Sequence, residues 1–218
     1  YMPPGIADFT YDVAKAKQLL DEAGAKKGGD GIRTLNGRKL SWTYQTSTND
    51  VRQKTQEIIK ASFGQAGINL DLKAIDASVF FGAPDNPDSE QTFFADIEME
   101  TTGGGFYPDR WFLWFYSADP GRYICQQSNS WGAENFIRYQ NPKFNTLYDQ
   151  AVKEIDPAKY RPLFQQLNHF VTVEDVASYG LVARNSVSAA VSWLAGYDNR
   201  GPASSSQVWD VKSWYKKS

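Results

Sequence analysis

The sequence predicts an α/β fold, and three neighbouring observations carry that prediction. Leu40, Trp42, Tyr44 and Thr46 alternate with Ser41, Thr43 and Gln45, the period of two of a strand with one buried face. Val51, Thr55, Ile58, Ile59, Ser62, Phe63 and Ala66 then share one helical stripe, which Gly67 ends. Ile68, Leu70, Leu72 and Ala74 alternate again. Strand, helix and strand within about 35 residues make a βαβ unit with two parallel strands.

The remaining elements follow in order. Asp12 is an N-cap for a helix carrying Val13, Ala16, Leu19, Leu20 and Ala23, with Gly24 as its stop. The Gly-, Lys- and Asp-rich stretch from Lys26 to Arg38 reads as a loop. Ser47-Thr48-Asn49-Asp50 is the turn ahead of the second helix, and Asn86-Pro87-Asp88-Ser89 marks a loop before a third strand through Ala95, Ile97 and Met99. Three glycines, Gly103 to Gly105, open a ring-rich stretch in which Pro108 can start a helix. Phe144, Leu147, Tyr148, Ala151, Val152 and Ile155 predict a helix, and Asp156-Pro157 caps and opens another along Tyr160, Leu163, Phe164, Leu167, Phe170 and Val171. Pro162 places the regular part of that helix at or after itself. Tyr179 to Ala183 reads as a short strand. Beyond Arg184 the pattern weakens into Gly201-Pro202 and Ser204-Ser205-Ser206, with Trp209 and Trp214 near the end.

Composition then excludes whole classes of function. The AVILMFWYC share is 41% and the formal net charge of the 218 residues is −2, a globular balance without the basic footprint that nucleic-acid binding needs. No apolar run approaches the roughly 20 residues of a membrane span. One cysteine, Cys125, and one histidine, His169, are too few for an internal disulfide or a Cys/His zinc site, so no metal or cofactor is expected. The opening Tyr1-Met2-Pro3-Pro4-Gly5 lacks the pattern of a signal peptide and an initiating methionine, and reads as the start of a piece of a longer chain. Aromatic residues make up 15%, a load that fills a core or lines a groove.

Specific chemistries can be tested residue by residue. His169 lies inside a predicted helix between Leu167 and Phe170, and no Gly-x-Ser-x-Gly elbow accompanies it. Cys125 has no activating base beside it and reads as an inert thiol. Lys27-Gly28-Gly29-Asp30-Gly31 follows a helix and precedes a strand, the reverse of a P-loop, and carries too few acids for a calcium loop. Asp96, Glu98 and Glu100 share one face of the third strand. Such a row is either a solvated face or a set of partners for Lys and Arg, or else an acid–base pair beside the rings, the last being the alternative of a carbohydrate-active enzyme. The ring-rich stretch follows a strand end, where ligands bind in α/β sheets. Trp111, Trp114 and Phe115 at helical spacing suit a ring-lined groove and a core equally.

The order of the pieces resembles the C-terminal lobe of bacterial extracellular solute-binding proteins of the peptide/nickel type, family 5. The matching text is Tyr11-Asp12-Val13-Ala14-Lys15-Ala16, Leu19-Leu20-Asp21-Glu22-Ala23-Gly24, Asp30-Gly31-Ile32-Arg33, Gly67-Ile68, Ile75-Asp76, Pro108-Asp109, Asn129-x-Trp131, Asp156-Pro157, and Trp209 with Trp214-Tyr215. The resemblance implies one lobe of a type II-like periplasmic binding protein, with a mixed sheet flanked by helices. Residues 1–183 would form this lobe and 184–218 a tail returning toward an N-terminal lobe not contained in this sequence. It further implies a non-catalytic, extracytoplasmic component of an ABC importer, partnered by permease subunits and holding an oligopeptide-like solute, or an oligosaccharide, between two lobes. The candidate ligand residues are Gln45, Thr46, Thr101, Thr102, Gly103, Gly104, Phe106, Tyr107, Asp109, Trp111, Asn129 and Trp131. Peptide binders of the family read Trp-x-x-Asp-Tyr after the third strand. Here Gly103 and Phe106 replace the Trp and the amine-holding Asp while Tyr107 is kept, which points to a blocked or longer peptide or a sugar.

Overall fold

The computed structural model describes residues 9–84, 86–102, 107–182, 189–197 and 210–217. The chain divides into two compact units. One comprises Ala7–Thr101 and Asp119–Arg138, and the other Tyr1–Ile6, Thr102–Ala118 and Tyr139–Ser218. We call them the sheet unit and the helical unit.

The sheet unit starts with α1 (Val13–Glu22), whose first turn is closed by Asp12 accepting from the Lys15 amide at 2.8 Å. The stretch expected to be a loop instead folds into three short antiparallel strands: β1 (Lys26–Lys27), β2 (Arg33–Leu35) and β3 (Arg38–Lys39). Asn36 and Gly37, both at positive φ (50° and 78°), join β2 to β3 in a two-residue turn with Leu35 opposite Arg38. That is the backbone a tight hairpin of right-handed twist demands. Arg33 pins this small sheet down: it is 6% exposed, and its guanidinium donates to Ala25 O at 2.7 Å, Ala66 O at 3.0 Å and Asp21 Oδ1 at 2.5 Å.

The βαβ unit is present as read. β4 (Ser41–Ser47) pairs in parallel with β5 (Asn69–Ile75) over seven residues, and α2 (Asp50–Ala66) forms the crossover. Asn49 caps α2 by accepting from the Val51 and Arg52 amides. The buried face of α2 differs from the expected stripe, because Val51 and Ile58 are exposed. It runs through Gln56, Ile59, Phe63 and Ala66, with Gln56 donating from Nε2 to Tyr44 O at 2.7 Å. The buried Gln56 side chain, bonded to the sheet backbone, keeps this flank of α2 against the sheet. Around Tyr44 and Leu70 the core gathers Ala25, Leu40 and Ile68, flanked by Leu20, Trp42 and Met99.

Gly67 ends α2 at φ 89°, and a Cβ there would lie 3.0 Å from Arg33 Cγ and 3.2 Å from Gly31 O. Gly67→Ala will therefore cost roughly 1–2 kcal/mol and lower the thermal midpoint by roughly 3–6 °C. An unchanged melting curve would refute this.

After α3 (Ala77–Phe80) the chain reaches β6 (Ile97–Met99), two residues shorter at its start than expected, paired in parallel with β4 over three residues. The sheet order is β5-β4-β6, so β4 is central. A single helical turn at Pro120–Tyr123 and the loop to Arg138 complete this unit.

The helical unit contains α4 (Asp109–Leu113), α5 (Pro142–Ala151) and α6 (Pro157–His169), the last running on as a π turn over Phe170–Glu174. Pro108 does precede a helix. α5 stops at Ala151, and Ile155, expected on its face, is 90% exposed. α6 is regular from Pro157, capped by Asp156 on the Ala158 amide at 2.9 Å, with Pro162 inside it. The proline removes one intrahelical bond, and the complete burial of Phe164 and Leu167 on the same helix outweighs that loss. No strand forms at 179–182, and Ala183 lies outside the described residues. β7 (Leu194–Ala195) and β8 (Tyr215–Lys216) pair antiparallel.

Candidate functional site

In the sheet unit the candidate residues gather at the C-terminal ends of β4 and β6. Gln45 is 2% exposed and donates from Nε2 to Glu98 Oε1 at 2.9 Å and Asp88 O at 3.1 Å. Thr46 is fully buried, its hydroxyl donating to Met99 O at 2.5 Å. Both side chains thus tie β4 to β6, while Thr101, two residues past β6, is exposed.

The row of acids is not a solvated strand face. Asp96 is exposed and accepts from the Thr43 amide at 2.8 Å, but Glu98 and Glu100 are half-buried and lie near Glu90. Burial, reinforced by the Glu100 charge, pushes the Glu98 carboxyl up to about 8 against the pull of Gln45 and Arg138. Burial and a hydrogen bond with Glu100 push Glu90 to about 9. Arg52 is the cation on the α2 side; its Nη1 donates to Ser47 Oγ, and its guanidinium lies 5.4 Å from the Phe81 ring centroid. Sequence reading missed Glu90 and Arg52. Neither sits in a pattern, and only the folded chain brings them beside the third strand.

A second group in the same unit surrounds Trp131. Asn129 is fully engaged in loop structure: its Oδ1 accepts from the Gln126 amide, and its Nδ2 donates to Ile124 O at 2.7 Å and Gly121 O at 3.2 Å. Trp131 is half-buried and meets Phe94 edge-on at 5.5 Å between centroids. The Arg138 guanidinium lies 5.5 Å from the Trp131 ring centroid and donates to Thr92 O and Phe93 O. Phe93, Ser130, Trp131 and Arg138 all have positive φ, between 40° and 58°, a backbone that non-glycine residues hold only when their surroundings enforce it. Exposed Phe94 and half-buried Trp131 form a small ring platform stiffened by Arg138.

In the helical unit, Tyr107, Asp109 and Trp111 lie on or just before α4, and Thr102 is exposed ahead of them. Gly103, Gly104 and Phe106 lie outside the described residues. Tyr107 is half-buried, edge-on to Tyr160 at 5.3 Å and Phe164 at 5.2 Å, and its hydroxyl donates to Ala151 O at 3.1 Å. Trp111 is half-buried against Trp114 at 5.2 Å and Phe115 at 5.6 Å. Phe112 and Phe115 are core, while Tyr107 and Trp111 are half-buried at its margin. An open cavity of about 330 Å³ between α5 and α6, lined by Lys143, Leu147 and Gln166 among others, contains none of the candidate residues.

The residues set aside as nucleophiles behave as structural groups. The Cys125 thiol is buried, donates to Trp131 O at 2.9 Å and is pushed up by burial. His169 is half-exposed, 3.5 Å from Glu174 Oε1.

Parallel strands β4, β5 and β6 with the α2 crossover define an α/β fold. Comparison with known proteins makes this specific. Residues 1–132 match the middle region of the bacterial extracellular solute-binding proteins, family 5, and the chain belongs to that family. It is 24% identical over 213 residues to the oligopeptide-binding protein AppA of Bacillus subtilis, covering 96% of this chain and 36% of AppA. Its fold is similar to that of the oligopeptide-binding protein of Thermus thermophilus complexed with a pentapeptide (TM-score 0.69, 24% identity, 81% of this chain and 30% of that one). It is likewise similar to NikZ of Campylobacter jejuni in complex with Ni(L-His) (TM-score 0.68, 20% identity, 94% and 39%). The chain spans about a third of the length of the relatives it matches.

Proposed function

We propose that this chain supplies one ligand-binding lobe of the substrate-binding component of an ABC importer, capturing an oligopeptide-like solute outside the cytoplasm without catalysis. The match of residues 1–132 to the family carries this reading. Two relatives with oligopeptide names, AppA and the Thermus protein, support peptide as the solute class. Phe106, standing where the resemblance places the amine-holding Asp, with Gly103 at the Trp position, leaves a blocked peptide, a longer one or a sugar open. A second lobe from a longer chain would complete the cleft, and the ligand would draw the two lobes together by contacting both. In the sheet unit, Thr101 and Trp131 are the proposed contacts, with Gln45 and Thr46 fixing the strand end and Asn129 the loop beside them. In the helical unit, the proposed contacts are Thr102, Asp109 and Trp111.

Two measurements test this. Native mass spectrometry of the whole protein will show a co-purified oligopeptide, and a bound nickel complex or nothing across a peptide library would overturn the assignment. Calorimetry on these 218 residues alone will give only millimolar or weaker affinity, since a lobe making about half the contacts forfeits a tenfold for every ~1.4 kcal/mol. Micromolar binding by this piece would overturn the two-lobed reading.

A further inference from the structure

Among the described residues, three fully buried side-chain atoms have no hydrogen-bond partner, and all three come from one cluster: Arg52 Nε, Glu90 Oε2 and Glu98 Oε2. Buried polar atoms are normally satisfied, so this concentration calls for an account. Glu98 is the middle residue of β6, opposite Gln45 in the register. It accepts from the Gln45 amide, which also donates to Asp88 O and so binds the segment ahead of β6 to the same point. Glu90 lies in that segment, its amide donating to Phe80 O at 2.9 Å and its carboxyl bonded to Glu100. The flanking charges are few and mostly committed. Arg52 is engaged with Ser47 and Phe81, Arg138 with the Thr92 and Phe93 carbonyls, and Lys73 with Asp88. Three carboxyl groups therefore lie together, with the Arg52 and Arg138 charges offsetting only part of their repulsion and burial, and the strand they hold is an edge strand of only three paired residues.

We propose that Glu90, Glu98 and Glu100 form a proton-held latch. The latch fastens β6 and the segment 86–96 to the sheet in mildly acidic solution and slackens as the solution turns alkaline. With a proton on Glu90, its carboxyl is bonded to Glu100, and with a proton on Glu98 no further charge is added beside them. Without those protons, like charges repel in a site that cannot hydrate them, and the short edge strand is what yields. The direction follows from proton binding. In the unfastened segment the Glu90 and Glu98 carboxyls return to their ordinary range near 4.3, whereas in the fastened state Glu98 and Glu90 are pushed up to about 8 and about 9. The fastened state binds more protons throughout that window. Fastening is complete below about pH 4, weakens about tenfold per pH unit for each proton held, and levels off above about pH 9. This holds whatever the cargo is.

Hydrogen–deuterium exchange on the intact protein at pH 5.5, 7.0 and 8.5, corrected for intrinsic exchange rates, tests the latch. Amides of 86–100 will lose protection by at least about tenfold per pH unit, while 69–75 in β5 keep theirs. The double variant E90Q/E98Q cannot ionise at either position and will give a flat profile over 86–100. A flat wild-type profile, or a parallel fall in the variant, would overturn the proposal. Should the double variant fail to fold, a carbon-13 titration of the wild-type glutamate carboxyls decides: two transitions above pH 7 support the latch, and none above pH 6 overturns it.

Discussion

Phe164→Ala will destabilise the helical unit by about 4 kcal/mol. Phe164 is wholly buried, stacks on Phe112 at 5.7 Å with the ring planes 20° apart, and meets Tyr107 and Tyr160 edge-on at 5.2 and 6.0 Å. Removing the ring forfeits its transfer free energy and its contacts with Phe112, Tyr107 and Tyr160. The cavity cannot close, because its walls are other rings anchored elsewhere: Phe112 also leans on Phe144, and the Tyr107 hydroxyl is bonded to Ala151 O. Urea unfolding followed by near-ultraviolet circular dichroism will show the midpoint lowered by roughly 2 M. A loss below about 1.5 kcal/mol would mean that the ring cluster repacks freely, against the behaviour of dense cores.

Arg33→Met will cost the sheet unit about 3 kcal/mol, although methionine matches the arginine stem in volume. The loss is in hydrogen bonding: Ala25 O and Ala66 O, on residues almost wholly buried, lose their guanidinium donors together, at about 1–3 kcal/mol for each buried acceptor left bare. The exposed Asp21 carboxylate, which Arg33 holds below the usual range, simply returns to water and adds little. Arg33→Lys will recover only part of the stability, since one ammonium cannot span acceptors that a planar fork reaches at once. Chemical unfolding of the three proteins side by side checks this, and equal stability of Met and Arg forms would refute it.

The sequence was legible where structure is local and illegible where a distant partner decides. The switch of period from two to 3.6 and back specifies β4, α2 and β5 without help from the rest of the chain. The buried face of α2 escaped that reading because Gln56, a polar residue, is what the sheet takes in. The hairpin of β2 and β3 had its signal in Asn36-Gly37, which the abundance of lysine and glycine around it masked. Gln45 and Thr46 were rightly placed at a strand end. Their burial, however, follows from Glu98 and Met99, 53 positions away in the chain. Glu90 carried no signal at all, since an acid in a loop acquires its character only from what packs around it.

The central position of β4 bears on how the sheet assembles. β5 returns to β4 after 28 residues and β6 after 53, and this near doubling of the closed loop costs only about 0.6 kcal/mol more, too little to dictate an order by itself. What separates the two events is the gain on arrival. β5 brings seven backbone pairs and a covering helix, while β6 brings three pairs and a ring of acids. The nucleus of the sheet unit is therefore β4-α2-β5, with β6 added downhill of the rate-limiting barrier, so destabilising changes in β6 will register in the unfolding rate and leave the refolding rate almost untouched.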